Sequence, residues 1–129
     1  MIQLIAIYLT SAILGIMLFF SFVVAPITFT SLNEENARKF IRRIFPYYYN
    51  VNLGVSILVT LIFVCIGTFH LDFFLILSVA LLFALSNYVL MPLINKFSDQ
   101  NLHQKFKYSH LLSVILNFIQ MFCLIFILI

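Results

Sequence analysis

Along the chain, apolar residues gather in four long stretches, at about 2–30, 47–69, 72–95 and 108–129, and polar residues gather between them. Each stretch meets the ~20 residues that an α-helix needs to cross the hydrocarbon layer of a bilayer. The breaks are distinct. Ser31 to Pro46 carries Glu34, Glu35, Arg38, Lys39, Arg42 and Arg43, Phe69-His70-Leu71-Asp72 reads as a tight turn, and Lys96 to Lys107 is mostly polar. The pattern predicts an all-α membrane protein, a four-transmembrane-helix bundle forming a single domain over residues 1–129. Met1-Ile2-Gln3 provides no basic n-region, and no small-residue cleavage site follows, so the first stretch is expected to be a retained span.

The first break has a period of its own. Ser31 with Glu34 three residues on forms a capping-box pattern. Ala37, Phe40, Ile41, Ile44 and Phe45 then recur at helical spacing, with Arg38, Lys39, Arg42 and Arg43 on the other side. That predicts an amphipathic cytoplasmic helix between spans 1 and 2, lying in the headgroup layer with its cations on anionic lipid. Each cation held there contributes roughly 1 kcal/mol. Tyr47, Tyr48 and Tyr49 follow at the depth of an interfacial aromatic belt. A binding platform for an anionic partner is the sharper reading of the same pattern.

Composition agrees with the pattern. The chain is 64% hydrophobic and 9% charged, where soluble domains run at about half and about a quarter. A small domain cannot bury that excess in one core, so lipid is its natural solvent. All of the Lys and Arg lie in the first and third breaks: Arg38, Lys39, Arg42 and Arg43, then Lys96, Lys105 and Lys107. By the positive-inside rule both breaks face the cytoplasm and both termini face out, an arrangement expected in a bacterial inner membrane. The formal charge of +3 then follows from topology and not from nucleic-acid binding.

Topology assigns depth to the polar residues. Ser21 and Pro26 fall in the inner half of span 1, Asn50 and Asn52 in the first turns of span 2, and Ser86, Asn87, Pro92 and Asn95 in the inner half of span 3. His110, Ser113 and Asn117 open span 4 on one face, at i, i+3, i+7. Pro26 and Pro92 are helix-breaking positions that free acceptors in the same half. A polar pocket of Asn50, Asn52, Asn87, His110, Ser113 and Asn117 is expected there; interhelical hydrogen bonding alone is the plainer reading.

Several chemistries lack their residues. No acidic or basic side chain sits mid-membrane for a proton relay. Phosphate loops, nucleophile elbows and zinc-protease motifs do not occur, which points away from an enzyme. Haem would need a partner for His110, and His103 lies in a loop while His70 lies on the far side. Copper would need Cys65, Cys123 and Met121 to meet, as soft ligands suit Cu(I), although buried cysteines more often pack as small hydrophobes. No resident cofactor is therefore expected. Four helices are few to enclose a transport path, so a homo-oligomer is expected.

A faint repeat runs at an offset of 66 residues. Pro26 matches Pro92 and Lys39-Phe40 matches Lys105-Phe106, as two parallel hairpins would give.

Short motifs also carry a family resemblance. Gly15-Ile16-Met17-Leu18-Phe19-Phe20 runs into Val23-Val24-Ala25-Pro26 and Phe29, and Ala37, Phe40 and Phe45-Pro46-Tyr47-Tyr48 follow. Asn87 to Pro92 closes span 3, and His110-Leu111-Leu112-Ser113 with Leu116-Asn117 opens span 4. Together they resemble the transmembrane protein 205-like family, catalogued as domain of unknown function 4149. The resemblance implies a four-helix inner-membrane protein without an established biochemical role. Span 1 alone is similar to copper-resistance D and protoporphyrinogen oxidase-type membrane proteins, but the histidine those carry in this span is missing. Three expectations follow: binding or moving a small or amphipathic ligand through a cytoplasm-facing polar pocket, a haem- or copper-associated redox protein, or a scaffold acting through the basic loop.

Overall fold

A computed structural model describes residues 1–129. It is all helix: α1 (Ile2–Ser31), α2 (Glu34–Ile66), α3 (Leu71–Asp99) and α4 (His103–Leu128), each long and apolar enough to cross a membrane. The helices run alternately up and down, and each packs on two neighbours, α1 on α2 and α4, α3 on α2 and α4. The connection at Leu32-Asn33 and the one at Gln100–Leu102 share the basic end of the bundle. Arg42 ties them together, donating from Nη2 to the Asp99 carboxylate and to the Asn95 carbonyl at 3.3 Å. Both termini and the Gly67–His70 turn lie at the other end.

Local chemistry differs from the sequence reading at several ends. Ser31 is the last residue of α1 and caps nothing. The N-cap of α2 is Asn33, whose side chain accepts from the Asn36 N–H at 2.9 Å, with Glu34 and Glu35 favourably placed in the first turn. The amphipathic segment is not a separate helix in the headgroup plane. It continues through Pro46 into the second span as one helix of 33 residues, about 50 Å long. Its apolar side therefore turns toward the bundle, with Ala37 buried and Phe45 packed edge-on against Phe20 at 5.3 Å.

The turn expected at Phe69–Asp72 falls earlier. Gly67 adopts φ 73°, and the Thr68 and Gly67 N–H groups close on the carbonyls of Phe63 and Val64, both at 3.1 Å. Asn101, at φ 54°, ends α3 in the same way, with Leu102 bonded to Phe97 and Asn101 to Ser98. Span 4 accordingly begins at His103, ahead of the expected start, and span 3 runs on to Asp99.

Neither Pro26 nor Pro92 breaks its helix. Each is preceded by a π turn, Phe20–Val24 and Ser86–Leu90, in which the Ala25 and Met91 N–H groups reach back five residues to Phe20 and Ser86. Widening the turn accommodates a ring that would otherwise strike the carbonyl four residues earlier. The two π turns lie 66 residues apart, the same offset as the sequence repeat.

The interior combines fully buried Ile13, Met17, Val59, Ile76, Val79, Phe83 and Leu124 with fully buried Thr10, Asn52, Ser56 and Gln120. Polar groups in hydrocarbon need partners. Thr10 and Ser56 bond the carbonyl one turn back, and Gln120 Nε2 crosses from α4 to the Val79 carbonyl of α3 at 3.2 Å.

Candidate functional site

At the basic end a cleft of about 500 Å³ opens among the four helices, within the range of small-molecule sites. Its cause is uneven packing. Beyond its π turn α1 packs chiefly on α2. The facing rings of Phe22 and Phe118 meet only edge-on, with centroids 6.5 Å apart, and both are exposed at the seam.

A chain of three side chains forms the floor. Tyr48 Oη donates to Asn117 Oδ1 at 2.8 Å, and Asn117 Nδ2 donates to Ser21 Oγ at 3.0 Å, linking α2, α4 and α1. Ser21 stands ten residues from the end of α1, about 15 Å along the helix from its basic end. Most hydroxyls in the spans bond the preceding turn, as Thr28 does to Val24 and Ser113 to His110, whereas Ser86 in the matching π turn does not. Ser21 sits inside a π turn and has no such bond, so its own proton remains to be donated. Phe20, stacked on Tyr48 at 4.3 Å, and Phe45 complete an aromatic wall. Arg38, Arg42, Glu34 and His103 stand at the mouth.

The structure divides the six expected pocket residues into two groups. His110, Ser113 and Asn117 line the cleft. Asn50, Asn52 and Asn87 do not. Asn87 Nδ2 donates to Asn50 Oδ1 at 2.8 Å across the α2–α3 seam. Asn52 is fully buried, donates to the Tyr48 carbonyl at 2.8 Å, and leaves Oδ1 without a protein partner. The tyrosine belt is also corrected: Tyr47 is exposed, whereas Tyr48 and Tyr49 are buried. Successive helical residues point ~100° apart, so three in a row share a depth but cannot all face lipid. Tyr48 and Gln120 were missed as polar interior groups, and Ser21, placed at the right depth, was not counted in the pocket. Gln120 was within reach of the pattern, three residues beyond Asn117 on the same face.

The four cations expected on anionic lipid also divide. Arg38 and Arg42 line the cleft, while Lys39 and Arg43 do not. Arg38 pairs with Glu34 at 3.2 Å and Lys39 with Glu35 at 2.7 Å, both exposed i, i+4 pairs of small energetic weight. No group of three or more His, Cys, Asp or Glu side chains converges. The His110 ring stacks on Phe106 at 5.9 Å, and Cys65 and Cys123 sit on α2 and α4, a diagonal pair of helices, both as free thiols.

Fold and cleft together define a class: a four-helix bundle of membrane-crossing length with an uncharged polar floor under a basic mouth. Within that class, the chain belongs to the family described as Domain of unknown function (DUF4149), which matches residues 8–103. The match covers α1 to α3 and ends where α4 begins, so His110, Ser113 and Asn117 lie beyond it. No curated protein and no solved structure matches the chain.

Proposed function

We propose that the protein binds a small amphipathic molecule in this cleft and carries it between the bilayer and the aqueous surface at its basic end. The observation that supports this is the Tyr48–Asn117–Ser21 floor, a neutral hydrogen-bonding surface within the bundle beneath aromatic walls. An uncharged floor suits a neutral acceptor, such as a carbonyl or ester oxygen, and apolar walls suit the rest of an amphiphile. With both basic connections on the cytoplasmic side, the cleft opens to the cytoplasm and both termini face out, as in a bacterial inner membrane. The finer kinship with transmembrane protein 205-like and copper-resistance D-type proteins, carried by short motifs, belongs to this proposal as well.

The chain contains no tryptophan, so a single Trp reports one place. Phe118→Trp puts the reporter at the cleft seam, and Phe126→Trp puts it on the exposed far part of α4. Brominated fatty alcohol should quench the first saturably and the second only in proportion to its concentration in the micelle. Identical, unsaturable quenching at both positions rules the proposal out.

A further inference from the structure

Resting on the cleft as an amphiphile site, we infer that its occupant is an anionic acyl-ester lipid. Its phosphate lies at Arg38 and Arg42, its ester carbonyl at Ser21, and its chain passes between α1 and α4. The division of the cations carries the argument. Arg38 and Arg42, one turn apart, stand on the cleft side of α2, whereas Lys39 and Arg43 stand outside it. Both arginines already hold carboxylates, Glu34 and Asp99, but only through Nη2. The Nε and Nη1 donors of each make no bond within the protein, which leaves a guanidinium edge for a phosphate.

Six residues beyond Arg42, about 9 Å along the axis, Tyr48 marks the level at which Ser21 keeps its hydroxyl proton. From mouth to floor the cleft therefore presents cations, then a neutral donor, with aromatic rings along the way. An acyl-ester lipid presents the complementary order: anion, neutral acceptor, hydrocarbon. The unpacked seam at Phe22 and Phe118 gives the hydrocarbon a way in from the leaflet.

The test uses the full chain with Phe118→Trp, purified in detergent, and lipids with brominated chains. Lysophosphatidylglycerol should quench at about ten- to thirty-fold lower concentration than lysophosphatidylcholine. Arg38→Gln with Arg42→Gln should abolish that preference, and Lys39→Gln with Arg43→Gln, which removes the same charge, should preserve it. Ser21→Ala should weaken the ester lipid several-fold and leave its ether-linked analogue unchanged. Retained saturable binding of lysophosphatidylcholine shows that each variant is folded. Equal binding of the two headgroups, or equal effects of the two double substitutions, overturns the lipid assignment and leaves the cleft as an amphiphile site. Absence of saturable quenching by every amphiphile overturns both.

Discussion

The α2–α3 seam and the α1–α4 seam share one device at the basic end. In each, a π turn ahead of a proline presents a polar side chain to an asparagine of the neighbouring helix, Asn87 to Asn50 and Ser21 to Asn117. Yet the Ser86–Leu90 turn lies backbone-close to both α2 and α4, whereas the Phe20–Val24 turn reaches α2 only through the Phe20 ring and α4 only through Ser21 and Phe22. The positions 66 residues apart explain the contrast. Where α3 has Ser86, almost fully buried, α1 has Phe20, whose ring fills the space against Tyr48 and Phe45. In lipid, helices approach through small residues and close packing, since the solvent between them is as apolar as leucine. A hydrogen bond alone does not shut a seam.

Substitutions can break or sharpen this contrast. The largest effect is expected at Phe83, fully buried beside Tyr48 and Tyr49. Phe83→Ala should cost about 3 kcal/mol in a dodecyl sulfate unfolding titration followed by far-UV circular dichroism. Phe118→Ala, at the exposed seam, should move the same midpoint little. A large loss at Phe118 would mean that the α1–α4 seam is packed after all.

Next come the asparagines. Asn87→Leu should lower stability by about 0.6 to 1.7 kcal/mol and leave amphiphile binding intact. Asn117→Leu should cost comparable stability and abolish binding measured with the Trp reporter in the cleft. If the two variants behave alike in both assays, the seams are equivalent and the cleft is not a site.

Accessibility gives a smaller, qualitative contrast. In a chain with Cys65 and Cys123 replaced by alanine, Ser21→Cys should react with a small maleimide and Ser86→Cys should resist it, as read by mass spectrometry. The smallest effect is expected from Asp99→Asn, which removes a partly exposed ion pair to Arg42 and should cost no more than about 1 kcal/mol.

Much of the fold was legible because lipid imposes it. A helix must satisfy its own backbone bonds, so length and apolarity alone located four spans, with every end within about five residues except the start of α2, which lies at Glu34 and not near 47. The i, i+3, i+7 spacing of His110, Ser113 and Asn117 placed three cleft residues on one face of α4. The partners of Asn117 were not legible. Ser21 read as one more polar residue at the right depth, and Tyr48 read as one of three interfacial tyrosines. Depth is a property of one helix, and which side chains meet depends on the rotation of two.

The repeat of 66 residues likewise gave the prolines but not the π turns, nor the asymmetry between Phe20 and Ser86 that leaves one seam open. The sequence by itself determined how many helices cross the membrane and where the charges gather, because each of those depends on a run of residues and the solvent around it. The tertiary structure alone decided which of two like seams opens into a cleft, because that depends on the volume of a few side chains filling space between helices far apart in the chain.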